Sequence, residues 1–334
     1  MVKKNLKKKE NILILGVSSF SGATLENFLS KKNYKIIGTY NKKNKLELEL
    51  IKKQKNLKLI KINLEKETTK LKKLINKFKP KFILDFASIC MVNESWEYPE
   101  KYFNINLISR INIFNKKSNF KFLKKYIYIS TPEIFGSTKS KIKEIENIYN
   151  PSTPYALSKM SVEIYLKQLF KYYGFPLIIG RFSNFYGPGQ PFYRLIPKII
   201  YTQKNNITFK LHGGGKSKRN FLYSSDFCKG IEKMLKKGIV GKTYHFSGSK
   251  FYSMLEIYNT IIKILKVKNP KLKISKDRIG KDKNYFLDGK STSKTLNWKA
   301  KTPIVIGLKK TISFYLNNLN NFKHYNKNFS LYEK

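Results

Sequence analysis

The chain has 334 residues, which is enough for one large α/β domain or for a cofactor domain with a smaller lobe. Hydrophobic residues make up 41% of it, which argues against global disorder. No run approaches the ~18 apolar residues of a transmembrane helix, and the lysine-rich start lacks the apolar core and cleavage site of a signal peptide. The formal net charge is +47, which raises the question of a nucleic-acid partner.

The positive charge is dispersed over the whole chain. Lys and Arg number 68 against 21 Asp and Glu, but the lysines form no single basic block. Asn, Ile, Phe and Tyr, which share A/T-rich codons with Lys, are also abundant, so base composition and a solvated surface explain the charge better than a nucleic-acid interface. Arginine is rare here, and each one retained indicates a need for a planar, bidentate donor, as for a phosphate. The five are Arg110, Arg181, Arg194, Arg219 and Arg278.

The first half of the chain alternates apolar strands with helical stretches. Short buried strands are predicted at 12–15, 35–38, 57–62, 82–86, 126–130 and 177–180. Helices are predicted at 23–30, 68–78 and 154–173. Strands that alternate with helices indicate a parallel, doubly wound sheet. The second half is more irregular, and glycine and proline at 187–191 and 213–215 are typical of loops that form a substrate lobe.

A glycine-rich turn follows the first predicted strand. It reads Gly16-Val-Ser-Ser-Phe-Ser-Gly22 and leads into a helix, where backbone N–H groups can approach a pyrophosphate. Ser19 replaces the middle glycine of the dinucleotide-binding pattern, so a slightly wider loop is expected. No carboxylate follows the second strand to hold the adenosine ribose; the chain there reads Asn41-Lys42-Lys43. A cation would suit the 2′-phosphate of NADP, and the choice between NAD and NADP stays open.

A hydroxyl, a carboxylate, a tyrosine and a lysine form the candidate catalytic group. Thr131 and Glu133 come directly after the strand at 126–130, and Tyr155 and Lys159 follow in Tyr-Ala-Leu-Ser-Lys. A spacing of four puts the tyrosine and the lysine on one face of a helix. A nearby ammonium lowers the pKa of a phenol, so Tyr155 can exchange a proton with a substrate hydroxyl that Thr131 also hydrogen-bonds.

The ordered series of motifs resembles the extended short-chain dehydrogenases, and within them the nucleotide-sugar 4,6-dehydratases of the NAD-dependent epimerase/dehydratase family. The resemblance covers about Asn11 to Asn317. Besides the turn and the catalytic group, it rests on Asp85-Phe-Ala-Ser, Asn106, Arg181-Phe-Ser-Asn-Phe-Tyr-Gly-Pro-Gly, Arg194-Leu-Ile-Pro, Leu211-His-Gly-Gly-Gly, Arg219-Asn-Phe-Leu-Tyr and Asp277-Arg-Ile-Gly-Lys-Asp-Lys-Asn-Tyr. It implies an α/β fold: a Rossmann-type doubly wound parallel sheet with a smaller C-terminal α/β substrate lobe.

The resemblance also assigns residues to ligands and to domains. NAD or NADP, tightly bound and recycled, would contact Gly16, Ser19, Phe20, Ser21, Gly22, Asn41, Lys42, Asn63, Leu64, Phe86, Ala87, Tyr155 and Lys159. Asn184, Arg219 and Arg278 would grip the diphosphate of a nucleotide-diphosphate sugar, and Arg194 would lie near its base. The implied domains are a basic tail at 1–10, a dinucleotide-binding domain at 11–182 completed by about 223–247, a nucleotide-sugar lobe at 183–222 and 248–320, and a tail at 321–334.

The implied reaction is a 4,6-dehydration that gives a 4-keto-6-deoxy sugar nucleotide. Tyr155 would remove the proton of the 4-hydroxyl as hydride passes from C4 to the nicotinamide. Glu133 would take the C5 proton, water would leave from C6, and the hydride would return there. Pro132 departs from the dTDP-glucose branch, where an aspartate normally protonates the departing hydroxyl. The GDP-mannose 4,6-dehydratases have serine there, and Glu133 or a water must then deliver the proton.

Other functions stay open. UDP-glucuronate-type decarboxylases share the Thr-x-Glu arrangement, whereas 4-epimerases generally lack the glutamate, and both remain alternatives. A non-catalytic protein that holds RNA on its basic surface is a competing class, and the intact catalytic group argues against it.

Metals, cysteines and assembly complete the expectations. No metal-ligand spacing surrounds His212 or His245, so both are expected to be structural and no metal is expected. Two cysteines are too few and too far apart for a disulfide scaffold or a zinc site, so we expect a cytoplasmic protein without a membrane partner, in which Cys90 is a small core residue. By the resemblance, a homodimer would pair the helix of Tyr155 with the helix at 104–114.

Overall fold

A seven-stranded parallel sheet forms the centre of the molecule. The computed structural model describes residues 9–41, 57–118, 120–277, 280 and 282–318. The sheet contains β1 (Glu10–Leu15), β2 (Tyr34–Tyr40), β3 (Leu57–Lys61), β4 (Phe82–Asp85), β5 (Lys125–Ser130), β7 (Leu177–Phe182) and β11 (Thr243–Phe246). Its order is β11-β7-β5-β4-β1-β2-β3 and every neighbouring pair is parallel. The predicted doubly wound sheet is confirmed. The strand order changes direction between β1 and β4, which opens a crevice outside their carboxyl ends.

Some of the helices cover the two faces of this sheet, and others pack in a smaller lobe. The helices are α1 (Phe20–Leu29), α2 (Thr68–Phe78), α3 (Glu94–Glu97), α4 (Pro99–Phe103), α5 (Ser109–Ile113), α6 (Pro154–Tyr173), α7 (Leu195–Lys204), α8 (Ser224–Lys237), α9 (Met254–Leu265), α10 (Lys290–Leu296) and α11 (Ile304–Asn317). Alternate residues of β1 supply both cores. Ile12 and Ile14 pack with side chains of α1 and α8, whereas Leu13 and Leu15 pack with side chains of α2 and α6. Strands buried on both faces have no polar side, which explains their continuous apolar runs.

A smaller lobe is assembled from later segments of the chain. The remaining strands are β6 (Lys141–Ile142), β8 (Asn184–Tyr186), β9 (Phe209–His212), β10 (Lys218–Tyr223), β12 (Phe251–Ser253), β13 (Leu272–Ser275) and β14 (Phe286–Leu287). They form a sheet of order β12-β10-β8 and the pairs β13-β9 and β14-β6. A third apolar cluster, which includes Phe192, Ile257 and Leu308, gives this lobe its own core. The predicted residue boundaries between the domains stay a prediction.

The predicted element types and the observed ones agree closely in the first half. The predicted helices at 68–78 and 154–173 are found as α2 and α6 at those bounds. Helix α1 begins at Phe20, earlier than predicted, because the side chain of Ser19 caps it. Within the described ranges, no helix has the length and apolar character needed to cross a membrane, and no three His, Cys, Asp or Glu side chains cluster as metal ligands would.

Candidate active site

The glycine-rich turn joins β1 to α1 beside the crevice. Gly16 has a φ of 74°, and a Cβ there would lie 2.8 Å from the Cα of Ala87, so the backbone needs glycine. A Cβ on Gly22 would overlap the carbonyl oxygen of Gly16. Ser19 donates from Oγ to that carbonyl at 2.7 Å and accepts from the N–H of Gly22 at 3.1 Å. The serine therefore closes the turn, after which α1 begins; the N-terminus of a helix is a general anion-binding feature.

The other predicted cofactor residues lie at the carboxyl ends of neighbouring strands. Phe20 and Ser21 form the first turn of α1, Asn41 follows β2, Asn63 and Leu64 follow β3, and Phe86 and Ala87 follow β4. Asn63 shapes its own loop, since its Oδ1 accepts from the N–H of Glu65 at 2.9 Å. Lys42 lies outside the described residues. The positions share one edge of the sheet, as a dinucleotide across the strand ends would require, and their contacts stay predictions.

Lys159 is buried on the inner face of α6. Its Nζ donates to Oγ of Ser88 at 3.0 Å and to the carbonyl of Ile129 at 2.7 Å, and it lies 4.2 Å from the ring centroid of Tyr128. Burial lowers the pKa of Lys159 to about 7. The amine can therefore gain or lose a proton near neutral pH.

Tyr155 lies one helical turn before Lys159 and is also buried. Burial first, and then the charge of Glu133, raise its pKa well above the ordinary range of a tyrosine. The cation that lowers this pKa in the structure is Arg194. The sequence predicts the same effect for the ammonium of Lys159. Because burial disfavours the charged form of Lys159, its effect on Tyr155 depends on pH and stays a prediction.

Thr131 and Glu133 begin a short 3₁₀ turn, Pro132–Phe135, at the end of β5. Oγ1 of Thr131 accepts from the N–H of Glu133 at 3.3 Å. Pro132 occupies the first position of the turn, where its fixed φ favours the fold, and it is buried. The charge of Glu133 acts on Tyr155, Arg194 and Tyr285. The predicted base therefore lies within electrostatic range of the predicted tyrosine.

The loop after β4 is held against α6 by an asparagine. Asn106 lies in a π-helical segment, Asn104–Ile108, between α4 and α5. Its Oδ1 accepts from the N–H of Ile89 at 3.0 Å, and its Nδ2 donates to the carbonyl of Ile89 at 3.1 Å and to Oγ of Ser158 at 2.9 Å. These bonds fix Ser88 next to Lys159. Ser88 is a site residue that sequence reasoning missed, although its motif, Asp85-Phe-Ala-Ser, was part of the resemblance.

Cys90 is partly exposed, so the prediction of a small core residue is wrong. Its Sγ accepts from Nη2 of Arg194 at 3.0 Å. Strand β4 ends at Asp85, so Cys90 lies in the loop beyond the buried strand. Arg194 also influences Tyr155 and Glu133 electrostatically, which places its guanidinium at the catalytic group. Its predicted position near the nucleotide base stays a prediction.

Asn184 and Arg219 meet through a tyrosine. Tyr285 donates from its hydroxyl to Oδ1 of Asn184 at 2.6 Å, and the guanidinium carbon of Arg219 lies 4.1 Å from the centre of its ring. Arg219 also donates to the carbonyls of Lys218, Asp282 and Lys283 at 2.6–2.9 Å. The structure thus brings two predicted diphosphate residues together. Arg278 lies outside the described residues. Tyr285 ended a quoted motif, but no role for it was predicted.

A sequence model of one protein family matches most of the chain. The family is described as GDP-mannose 4,6 dehydratase, and the match covers residues 13–311. The chain belongs to this family. The resemblance to nucleotide-sugar 4,6-dehydratases within the epimerase/dehydratase proteins is therefore confirmed.

Curated relatives of this GDP-mannose 4,6 dehydratase family member include dTDP-glucose 4,6-dehydratases. The human dTDP-D-glucose 4,6-dehydratase is 32% identical over 211 residues, which cover 61% of this chain and 60% of the human protein. The Dictyostelium discoideum enzyme is 32% identical over 275 residues, which cover 76% of this chain and 62% of the relative. The match thus spans about three fifths of the length of these relatives. A probable dTDP-glucose 4,6-dehydratase of Sinorhizobium fredii is 24% identical over 92% of this chain and 93% of its own.

Solved structures share the fold of this family member. A dTDP-glucose 4,6-dehydratase from Streptomyces venezuelae, solved with NAD bound, superposes with a TM-score of 0.85 at 22% identity, covering 94% of this chain and 99% of its own. A UDP-glucuronic acid 4-epimerase from Bacillus cereus, also solved with NAD, gives a TM-score of 0.84 at 23% identity, covering 92% and 99%. At these identities the likeness establishes the Rossmann-type fold, which dehydratases and epimerases share.

Two of the five arginines form buried ion pairs inside the fold. Arg110 forms a buried ion pair with Asp85 at 2.6 Å, and Arg181 forms one with Glu163 of α6, also at 2.6 Å. The rarity of arginine in this chain predicts positions that need a forked donor, and both side chains act as one. Their partners are carboxylates rather than a phosphate. Because Asp85 ends β4 and Glu163 lies one turn beyond Lys159, these pairs fix the loop and the helix that carry the catalytic group.

The two predicted structural histidines lie away from the catalytic group. His245 is fully buried in β11, where its Nε2 lies 3.1 Å from Nη1 of Arg181, and burial first lowers its pKa to about 3. It is therefore neutral at physiological pH. His212 ends β9 and contacts Oγ of Ser275 at 2.9 Å through Nδ1.

Proposed function

We propose that the protein is an NAD(P)-dependent nucleotide-sugar 4,6-dehydratase that forms a 4-keto-6-deoxy sugar nucleotide. The observation that carries the proposal is that Glu133 lies close enough to Tyr155 for its charge to raise the pKa of the phenol, with Thr131 at the start of the same turn. A 4-epimerase exchanges hydride at a single carbon and needs no carboxylate base for the neighbouring one. The family match and the named dehydratase relatives support this choice.

The turn between β1 and α1 fits a dinucleotide. The close approach of Gly16 to Ala87 leaves no room for a side chain, and the N-terminus of α1 offers N–H groups to a pyrophosphate. The NAD seen in the Streptomyces venezuelae relative supports the same cofactor type here. When bound, the nicotinamide would supply a reversible hydride acceptor for the chemistry at C4 and C6. Asn41, which is not an acid, leaves both NAD and NADP compatible with the adenosine end.

Tyr155 would act as the base in the first step. Its phenolate takes the proton from the 4-hydroxyl, and the Thr131 hydroxyl hydrogen-bonds the same oxygen. Because the phenol of Tyr155 is buried, a cation must favour its ionised form. Arg194 supplies such a charge, and Lys159, with a pKa of about 7, adds to it when protonated. Ser88 and the carbonyl of Ile129 hold that ammonium in place.

Glu133 would serve the elimination as both base and acid. Once C4 is a ketone, the C5 hydrogen is acidic, and the carboxylate of Glu133 takes it as a proton. The protonated Glu133 then gives this proton to the C6 hydroxyl, which leaves as water. Pro132 holds no proton to give. Glu133 is only partly buried, so it can take a new proton from solvent and deliver it to C5 as hydride returns to C6.

Asn184 and Arg219 would bind the diphosphate, since amide and guanidinium N–H groups match phosphate oxygens. Arg278 and Lys42, predicted from the sequence, would add cations to the substrate and cofactor sites. The homodimer, built from α6 and the helix at 104–114, is proposed on the resemblance alone, as is a cytoplasmic location.

One experiment tests the proposed function directly. Purified protein is incubated in D₂O with NAD or NADP. Each incubation also contains one substrate, which is a dTDP-, UDP-, GDP- or CDP-hexose. With one of these substrates we expect a product lighter by one water, with a 4-ketone that absorbs in alkali and one solvent deuterium at C5. A protein denatured before addition is the control.

The same experiment distinguishes the alternatives. An unchanged formula with inversion at C4 and no C5 deuterium would indicate an epimerase. Loss of CO₂ from UDP-glucuronate, added as a fifth substrate, would indicate a decarboxylase, for which Thr131 and Glu133 would also suffice. No turnover of any substrate, together with salt-sensitive RNA binding, would overturn the enzymatic proposal.

A further inference from the structure

The segment at 282–287, which we name the strap, joins the catalytic turn to the diphosphate residues. On one side, the N–H of Lys283 donates to Oγ of Ser137 and the N–H of Phe286 donates to Oγ1 of Thr138, both at 2.9 Å. Ser137 and Thr138 follow the turn that carries Glu133. On the other side, the carbonyls of Asp282 and Lys283 accept from Arg219 at 2.6 and 2.9 Å. The strap is therefore bonded both to the loop after the catalytic turn and to Arg219.

Tyr285 is the buried centre of the strap. Its exposed fraction is 6%, so its hydroxyl can find partners only inside the protein. That hydroxyl donates to Oδ1 of Asn184, which turns the amide N–H groups of Asn184 away from the strap. Its ring covers one face of the Arg219 guanidinium, while three carbonyls hold the guanidinium plane.

The pKa of Tyr285 depends on charges from both sides of the strap. Burial first raises the pKa of its phenol, to about 12; the charge of Arg219 opposes the shift and that of Glu133 adds to it. The phenol is therefore neutral at physiological pH and keeps the proton that it donates to Asn184. Tyr285 thus contacts both Asn184 and Arg219, and its pKa is also affected by the charge of Glu133.

We propose that Tyr285 is a positioning residue that orients Asn184 and Arg219 for a substrate diphosphate and sets their place relative to Glu133. The proposal rests on the proposed function, because the diphosphate belongs to the nucleotide-sugar substrate. Tyr285 acts through other residues, so its loss should weaken binding of the nucleoside diphosphate and raise KM much more than it lowers kcat.

The test compares Tyr285→Phe, which removes only the hydroxyl, with Tyr285→Leu, which also removes the aromatic face. Binding of UDP, dTDP, GDP and CDP is measured by calorimetry, independently of turnover. For the diphosphate that the unaltered protein binds best, we expect Tyr285→Phe to weaken binding by about 3- to 10-fold. We expect Tyr285→Leu to weaken it by roughly 10- to 100-fold. Tyr173→Phe, at the exposed end of α6, is the matched control and should bind normally.

A double-mutant cycle separates positioning from a general loss of structure. If Tyr285 acts by orienting Asn184, then Asn184→Ala combined with Tyr285→Phe should bind no more weakly than Asn184→Ala alone. Additive losses, or Tyr285→Phe binding as tightly as the unaltered protein, would overturn the proposal. Should Tyr285→Leu fail to fold, Tyr285→Phe and the cycle still decide. If the unaltered protein binds none of the four diphosphates, the proposed function itself fails.

Discussion

In the catalytic half of the site, which contains Thr131, Glu133, Tyr155 and Lys159, burial shifts the pKa values of Tyr155 and Lys159 in opposite directions, so that both groups favour their neutral forms. In the diphosphate half, which contains Asn184, Arg219 and Tyr285, the guanidinium of Arg219 is held by three carbonyls and an aromatic ring. The first half therefore contains titratable groups adapted to proton transfer, and the second contains fixed donors adapted to binding. Changes in the first should appear in kcat or in pH dependence, and changes in the second in KM.

Glu133→Gln should produce the largest effect and should confine it to the catalytic half. The amide cannot accept the C5 proton, so we expect elimination to slow by about 10²- to 10⁴-fold while binding of the nucleoside diphosphate is unchanged. Hydride transfer at C4 should persist in part, visible as transient reduced nicotinamide absorbance in single-turnover experiments.

The matched control for this change is Glu65→Gln, which alters an exposed carboxylate on the loop after β3. It should turn over like the unaltered protein. Dehydration at the normal rate by Glu133→Gln would show that another group is the base.

Lys159→Met tests whether burial of the Lys159 amine lowers the stability of the folded protein. The pKa of Lys159 falls from 10.5 to about 7 on folding, so between these values the unfolded chain binds a proton that the folded chain does not. The resulting loss of folding stability is complete below about pH 7 and becomes smaller as the pH rises toward 10.5. Without cofactor, Lys159→Met should therefore melt ~2–6 °C above the unaltered protein at about pH 6.5, and less so at about pH 9.

Activity and a control variant complete this test. Lys159→Met should lose dehydration because it removes the ammonium near Tyr155, whereas Lys171→Met, on the exposed face of α6, should change neither activity nor melting. A lower melting temperature for Lys159→Met at about pH 6.5 would mean that the hydrogen bonds to Ser88 and Ile129 outweigh the cost of burying the charge.

The sequence was informative where the signal is local. The glycine turn, the Tyr-x-x-x-Lys pair and the alternation of strands and helices each lie within one short segment, and the fold followed from them. The diphosphate half could not be read in this way, because Tyr285 meets Asn184 across a separation of 101 residues. Burial is likewise a property of the whole fold, which is why the weakened charge of Lys159 and the position of Cys90 were not predicted. Rarity of arginine predicted a forked donor at Arg181, but not that Glu163 is its partner.

Arg194 gives the smallest predicted effect. It was predicted near the nucleotide base, yet its guanidinium contacts Cys90 and lowers the pKa of Tyr155. If this charge helps to ionise the phenol of Tyr155, Arg194→Gln should move the rising limb of the kcat–pH profile to higher pH. Arg194→Lys keeps a cation and should leave the limb near its original position. A raised KM without a shift of the limb in Arg194→Gln would instead assign Arg194 to the diphosphate half. A residue that only binds the nucleotide cannot change the ionisation that limits kcat at saturating substrate.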